Sequence, residues 1–136
     1  MEVMTIEKHD RVVFDIDGVL AEKDGDTPYA ELEPEEAVLS RLRSYNERGF
    51  YIILYTARNM NSYEGRTGKI NAETAPILLD WLHKHDIPYD EIHYGKPWCG
   101  HDGFYVDDKA IRPNEFINNS REEILALLEA DAKVLD

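Results

Sequence analysis

The sequence predicts an α/β domain built on a mainly parallel sheet, and three observations carry that expectation. Two apolar, β-rich runs, Val12-Val13-Phe14 and Phe50-Tyr51-Ile52-Ile53-Leu54-Tyr55, read as buried strands, the second of them buried on both faces. Stretches with helical spacing lie between the strand signals, the pattern of parallel strands joined by helical crossovers. The chain has 136 residues, close to common domain size and long enough for helices on both faces of a sheet. One three-layer, Rossmann-like domain over residues 1–136 is expected.

The elements follow in order. Residues 11–16 form the first strand. Residues 18–33 are polar and hold Asp24-Gly25, a turn pair that would close a short hairpin flap. Pro34 suits the first position of a helix whose apolar face is Ala37, Leu39, Leu42 and Tyr45, and Gly49 ends it. The second strand is the Phe50–Tyr55 run. A helix is expected over residues 72–85, with Ile77, Leu78, Trp81 and Leu82 inward and His83 and His85 near its C-terminal end, where the dipole favours them. Glu91-Ile92-His93-Tyr94 reads as a third strand, Gly103-Phe104-Tyr105-Val106 as a fourth, and residues 121–130 as a closing helix. Right-handed crossovers would put the strand C-terminal ends on one edge, where such sheets bind ligands.

Composition narrows the function classes. The net charge of −13 and the lack of a basic stripe argue against a nucleic-acid partner. No apolar run is long enough to span a bilayer, so no membrane partner is expected. Met1 to Lys8 lacks the basic-then-apolar order of a secretory signal, and the single Cys99 excludes an internal disulfide framework. A cytoplasmic protein is expected.

The first strand ends in Asp15-Ile16-Asp17-Gly18. Alternate side chains of a strand share a face, so two acids this close are costly unless a cation or phosphoryl chemistry uses them. The other strands also deliver polar groups at their ends: Thr56 after the second, Lys96 after the third, and Asp107 and Asp108 after the fourth. Singly, Thr56 could cap a turn, Lys96 could be a surface lysine and Asp107-Asp108 a solvated loop. Their joint placement points to a phosphoryl-transfer site.

With these residues in view, the chain resembles the haloacid dehalogenase superfamily of phosphatases and phosphotransferases. The matching pieces are Phe14-Asp15-Ile16-Asp17-Gly18-Val19, Tyr55-Thr56-Ala57-Arg58, Gly95-Lys96-Pro97 and Tyr105-Val106-Asp107-Asp108, in the family's order. The run from Gly95 to Pro113 is similar to a narrower group of capsule biosynthesis phosphatases. The resemblance implies Asp15 as nucleophile, forming an aspartyl phosphate, and Asp17 as general acid and base. It implies that Thr56 and Lys96 hold the phosphoryl oxygens. It further implies Mg²⁺ held by Asp15, the Asp17 carbonyl and Asp107, with Asp108 acting through water or orienting Lys96. Gly18, Thr56, Ala57, Arg58 and Lys96 would meet the substrate.

The spans from Asp17 to Thr56 and from Thr56 to Lys96 are too short for a separate cap domain, so the site should be capless and open. Capless relatives can use a neighbouring subunit as a lid, and a homo-oligomer is compatible with this. The loop from Arg58 to Lys69 brings Arg58, Arg66 and Lys69 together, with Arg58 the best candidate for leaving-group recognition. Gly65 to Lys69 lacks the spacing of a nucleotide-binding loop. Cys99, His93 and His101 are too few for a four-ligand zinc site, and Cys99 is expected as a small packed side chain.

The expected function is Mg²⁺-dependent hydrolysis of a phosphate monoester on a small phosphorylated metabolite. The resemblance suggests a sugar or polyol phosphate of capsule or surface polysaccharide synthesis. A nucleotide phosphatase is an alternative within the class; the acidic charge disfavours a nucleic-acid end phosphatase. A non-catalytic receiver domain is the alternative of another class. Receivers carry a lone acceptor aspartate after a middle strand, and none ends the Tyr51–Tyr55 strand here.

Overall fold

A computed structural model describes residues 11–134; the reading of residues 1–8 lies outside them. The chain divides into two compact units, Met1–Trp98 and Cys99–Asp136.

The first unit is an α/β fold around a parallel sheet. Its strands are β1 (Arg11–Asp15), β2 (Tyr51–Thr56) and β3 (Glu91–Tyr94), in the order β1-β2-β3. Phe14 lies opposite Leu54, Asp15 opposite Tyr55, and Thr56 opposite Tyr94. Parallel neighbours need crossovers, supplied by α1 (Glu36–Glu47) and by a helical stretch between β2 and β3. That stretch comprises α2 (Thr67–Lys69), a π turn (Ile70–Thr74) and α3 (Ala75–Lys84).

Both crossovers run in the same direction along the sheet, so right-handedness puts α1 and α3 on one face. Burial follows. Phe14, Ile52, Leu54 and Thr56 are buried on the helix face, whereas Val13 on the opposite face is 58% exposed. The expectation that the second strand is buried on both faces is corrected: its burial alternates, with Tyr51, Ile53 and Tyr55 only half-buried. This sheet with its α1/α3 layer is compatible with a Rossmann-like three-layer fold.

The core between sheet and helices holds Leu39, Leu42, Leu78, Trp81 and Leu82. α1 begins at Glu36 rather than Pro34, and it buries Val38 with Leu39, Leu42 and Tyr45, whereas Ala37 is exposed. Ile77 is also misassigned by the sequence, being 45% exposed. Gly49 adopts φ +89° just beyond α1, the left-handed stop that glycine allows.

The second unit contains α4 (Pro113–Asn118) and α5 (Arg121–Lys133). The Arg112 amide donates to the Glu115 side chain at 2.9 Å at the start of α4. Ser120 and Glu123 form a reciprocal capping box on α5. The expected fourth strand is absent: residues 103–106 form no strand, and Phe104 and Val106 are 80% and 89% exposed. High β-propensity expresses a fit to a half-buried pleated surface, and residues 103–106 are exposed instead. No helix among the described residues is long and apolar enough to cross a membrane.

Candidate active site

Because the three strands are parallel, their C-terminal ends lie on one edge, and the predicted polar residues of the first unit gather there. β1 stops at Asp15. The Asp15 carboxylate accepts from the Ile16 amide at 2.9 Å and lies 3.2 Å from Lys96 Nζ. The Ile16 carbonyl then accepts from the amides of Val19, Leu20 and Ala21, which folds the chain into a tight turn. Gly18 carries this turn with φ +82°, its amide donating to the Ala21 carbonyl at 2.9 Å.

The strand does not continue through Asp17, so the two acids separate onto different cations. Asp17 Oδ1 accepts from Arg58 Nη2 at 2.7 Å, and Oδ2 accepts from Thr56 Oγ1 at 3.0 Å. Thr56 Oγ1 in turn accepts from the Arg58 amide at 3.0 Å. Lys96 is anchored to the same strand end, its amide donating to the Thr56 carbonyl at 3.0 Å. Gly95, at φ +86°, makes the bend after β3 and packs on Thr67, where a Cβ would sit 3.3 Å from Cγ2.

The sequence placed Asp15, Asp17, Gly18, Thr56, Ala57, Arg58 and Lys96 at strand ends, and the structure puts all seven along this edge. Asp107 and Asp108 belong to the second unit, in an exposed loop where Asp107 Oδ1 accepts from the Lys109 amide at 2.9 Å. Among the described residues no three His, Cys, Asp or Glu side chains are grouped as a ready cation site. Mg²⁺ takes hard oxygen ligands and keeps several waters, so one or two carboxylates suffice. The partly exposed Asp15 carboxylate fits that donor chemistry.

Sequence reasoning missed two aromatic neighbours. Tyr29 lies in a 3-10 turn, Tyr29–Glu31, within the flap, and its ring stacks 4.0 Å from the Arg58 guanidinium carbon. The expected flap is present, closed at its base by the Ala21–Pro34 bridge and by the Glu22 amide donating to the Glu33 carbonyl at 3.0 Å. The second neighbour, Tyr94, ends β3 opposite Thr56, its hydroxyl buried and without a hydrogen-bond partner among the described residues. Burial pushes the Tyr29 phenol above its ordinary value; the Asp17 charge adds to this and Arg58 opposes it. Tyr94 is raised by burial, with Tyr89 adding and Arg58 opposing. A tyrosine inside a polar flap carries no periodicity to mark it. Tyr94 was visible only as a strand residue.

Gly18→Val should destabilise the first unit by about 1–2 kcal/mol, because a β-branched residue is strained at positive φ. Urea unfolding measures this, and an unchanged midpoint would contradict it.

No protein-family model and no curated protein matches the chain. A Vibrio cholerae protein of known crystal structure is 49% identical, with a TM-score of 0.86 over 90% of this chain and 98% of that one. The Pnkp1/Rnl/Hen1 complex gives a TM-score of 0.48 at 21% identity over 85% of this chain and 37% of that chain.

Proposed function

This chain belongs to one family with the Vibrio cholerae protein, and from the groups at its sheet edge we propose that it is a Mg²⁺-dependent phosphomonoesterase of the haloacid dehalogenase type. The observation that carries this reading is the paired arrangement of Asp15 beside Lys96 and Asp17 beside Thr56 and Arg58.

Asp15 attacks phosphorus through a carboxylate oxygen, and the ester oxygen departs with a proton from Asp17. The acyl phosphate on Asp15 is then hydrolysed by water, whose proton returns to Asp17. The Ile16 amide and Lys96 limit the Asp15 carboxylate to one orientation, which lowers the entropy cost of in-line attack. Lys96 Nζ is a donor for the phosphoryl oxygens, and Thr56 Oγ1 becomes another by turning its one proton from Asp17 to the phosphate. When bound, Mg²⁺ would neutralise the phosphate charge that repels the attacking carboxylate. Asp107 and Asp108 enter this proposal through their motif.

The substrate class is a small phosphorylated metabolite. Resemblance of the Gly95–Pro113 run supports a sugar or polyol phosphate of capsule or surface polysaccharide synthesis, and the lone thiol Cys99 suits a reducing cytoplasm. The test is phosphate release from a phosphometabolite panel with Mg²⁺ and with chelator. Catalytic turnover that chelation removes is expected; no release from any ester would overturn the reading. Asp107→Asn should weaken Mg²⁺ affinity more than Thr56→Ala does, and metal titration of both variants checks that ranking.

A further inference from the structure

We propose that Arg58 receives a second anionic group carried by the substrate's leaving portion, so that the preferred esters bear a carboxylate or another phosphoryl group besides the one removed. This rests on the phosphatase reading above. The starting observation is a cation with unused donors. The Arg58 side chain is 1% exposed, and among the described residues its guanidinium hydrogen-bonds through Nη2, to Asp17. Nε and Nη1 are buried and have no hydrogen-bond partner among the described residues.

An unpaired buried donor is costly, and the large majority of buried side-chain polar atoms are satisfied. Orphaned donors on a rigid guanidinium fit anionic oxygens, which form stronger bonds with arginine than neutral hydroxyls do.

Position selects the leaving portion. Nη2 sits 2.7 Å from Asp17, the acid that protonates the leaving oxygen, and the orphaned nitrogens belong to the same small planar group. Lys96 stands on the other acid, Asp15, where the transferred phosphoryl is handled. The two cations therefore divide the substrate between them.

The fold also fixes how Arg58 is aimed. The next residue, Asn59, has φ +63°, and its side-chain oxygen accepts from Thr74 Oγ1 at 2.7 Å. Thr74 is buried in the π turn, so the backbone beside Arg58 is latched to a helix. Tyr29 covers the guanidinium face from the flap, whose residues 23–26 are exposed beyond the Glu22–Glu33 closure. The buried Tyr94 hydroxyl, close enough for the Arg58 charge to act on it, adds an uncharged hydrogen-bonding group.

Two readouts test this. The Arg58 Nε–H resonance, assigned by its loss in Arg58→Lys, is followed while D-glycerate, inorganic phosphate or glycerol is added in Mg²⁺ buffer. A shift with glycerate assigns a carboxylate and a shift with phosphate alone assigns a phosphoryl group, whereas glycerol should leave the resonance in place. A resonance that neither anion moves overturns the proposal. Separately, kcat/KM for 3-phosphoglycerate or glycerol bisphosphate should exceed that for glycerol 3-phosphate by about tenfold or more, and Arg58→Lys should collapse the ratio. Equal values for all three overturn the anion preference and leave the phosphatase reading standing. No turnover of any ester, with the resonance still responding to an anion, overturns the phosphatase reading and keeps Arg58 as an anion receptor.

Discussion

Asp15→Asn should abolish turnover while the protein stays folded. The amide oxygen of asparagine can still accept from the Ile16 amide, so the turn after β1 keeps its anchor. Lys96 loses an ion pair, but the Asp15 side chain is 33% exposed, and a pair of that kind contributes at most about 1 kcal/mol. What disappears is the negative charge and the oxygen nucleophile, for which a carboxamide is no substitute. Loss of a covalent nucleophile lowers kcat by at least about a thousandfold. Phosphate release beside far-ultraviolet circular dichroism separates the two effects. Turnover retained by a folded Asp15→Asn protein would remove Asp15 from the nucleophile's role.

Trp81→Ala should have the largest effect on stability. Trp81 is 2% exposed, and its Nε1 donates to the Leu32 carbonyl at 2.8 Å, across from α3 to the end of the flap. Its ring also meets His85 edge-on, with centroids 5.0 Å apart. Truncation leaves a large cavity and an unpaired carbonyl, with an expected loss of about 3–5 kcal/mol. That is a large share of the margin of about 5–15 kcal/mol that domains have. Trp81→Phe keeps most of the ring and should cost less. Urea unfolding followed by circular dichroism ranks the two, and equal midpoints would contradict this account.

Much of the first unit was legible because its strands are short, apolar and followed at once by polar groups. β3 matches its expected bounds, and β1 and β2 agree to within a residue. Strand signals do not tell which face is covered, and Val13 shows the consequence, being as apolar as Phe14 yet on the uncovered side. Phe104-Tyr105-Val106 misled for a related reason, since propensity cannot supply a ladder partner. α4 was missed although Pro113 suits a first helical position and Glu115 a reciprocal cap; at six residues it shows too little periodicity.

At the site, spacing identified the acids, the hydroxyl and the amine. It could not show that Arg58 would bind Asp17, because that contact spans 41 residues and depends on how β1 and β2 align. The Tyr29 stack depends on the flap folding back, which no local pattern in residues 18–33 encodes.

The π turn at Ile70–Thr74 has a consequence for chain length. Such a bulge amounts to one residue more than a regular helix needs. Loss of a residue from it could be absorbed by a return to ordinary winding, with Ala75–Lys84 keeping its register against the sheet. Loss of a residue within Ala75–Lys84 would instead rotate everything beyond it by about 100° and turn buried leucines toward water. Natural insertions and deletions in this crossover should therefore concentrate at the bulge, and sequences that lack it should also have lost the Asn59–Thr74 latch.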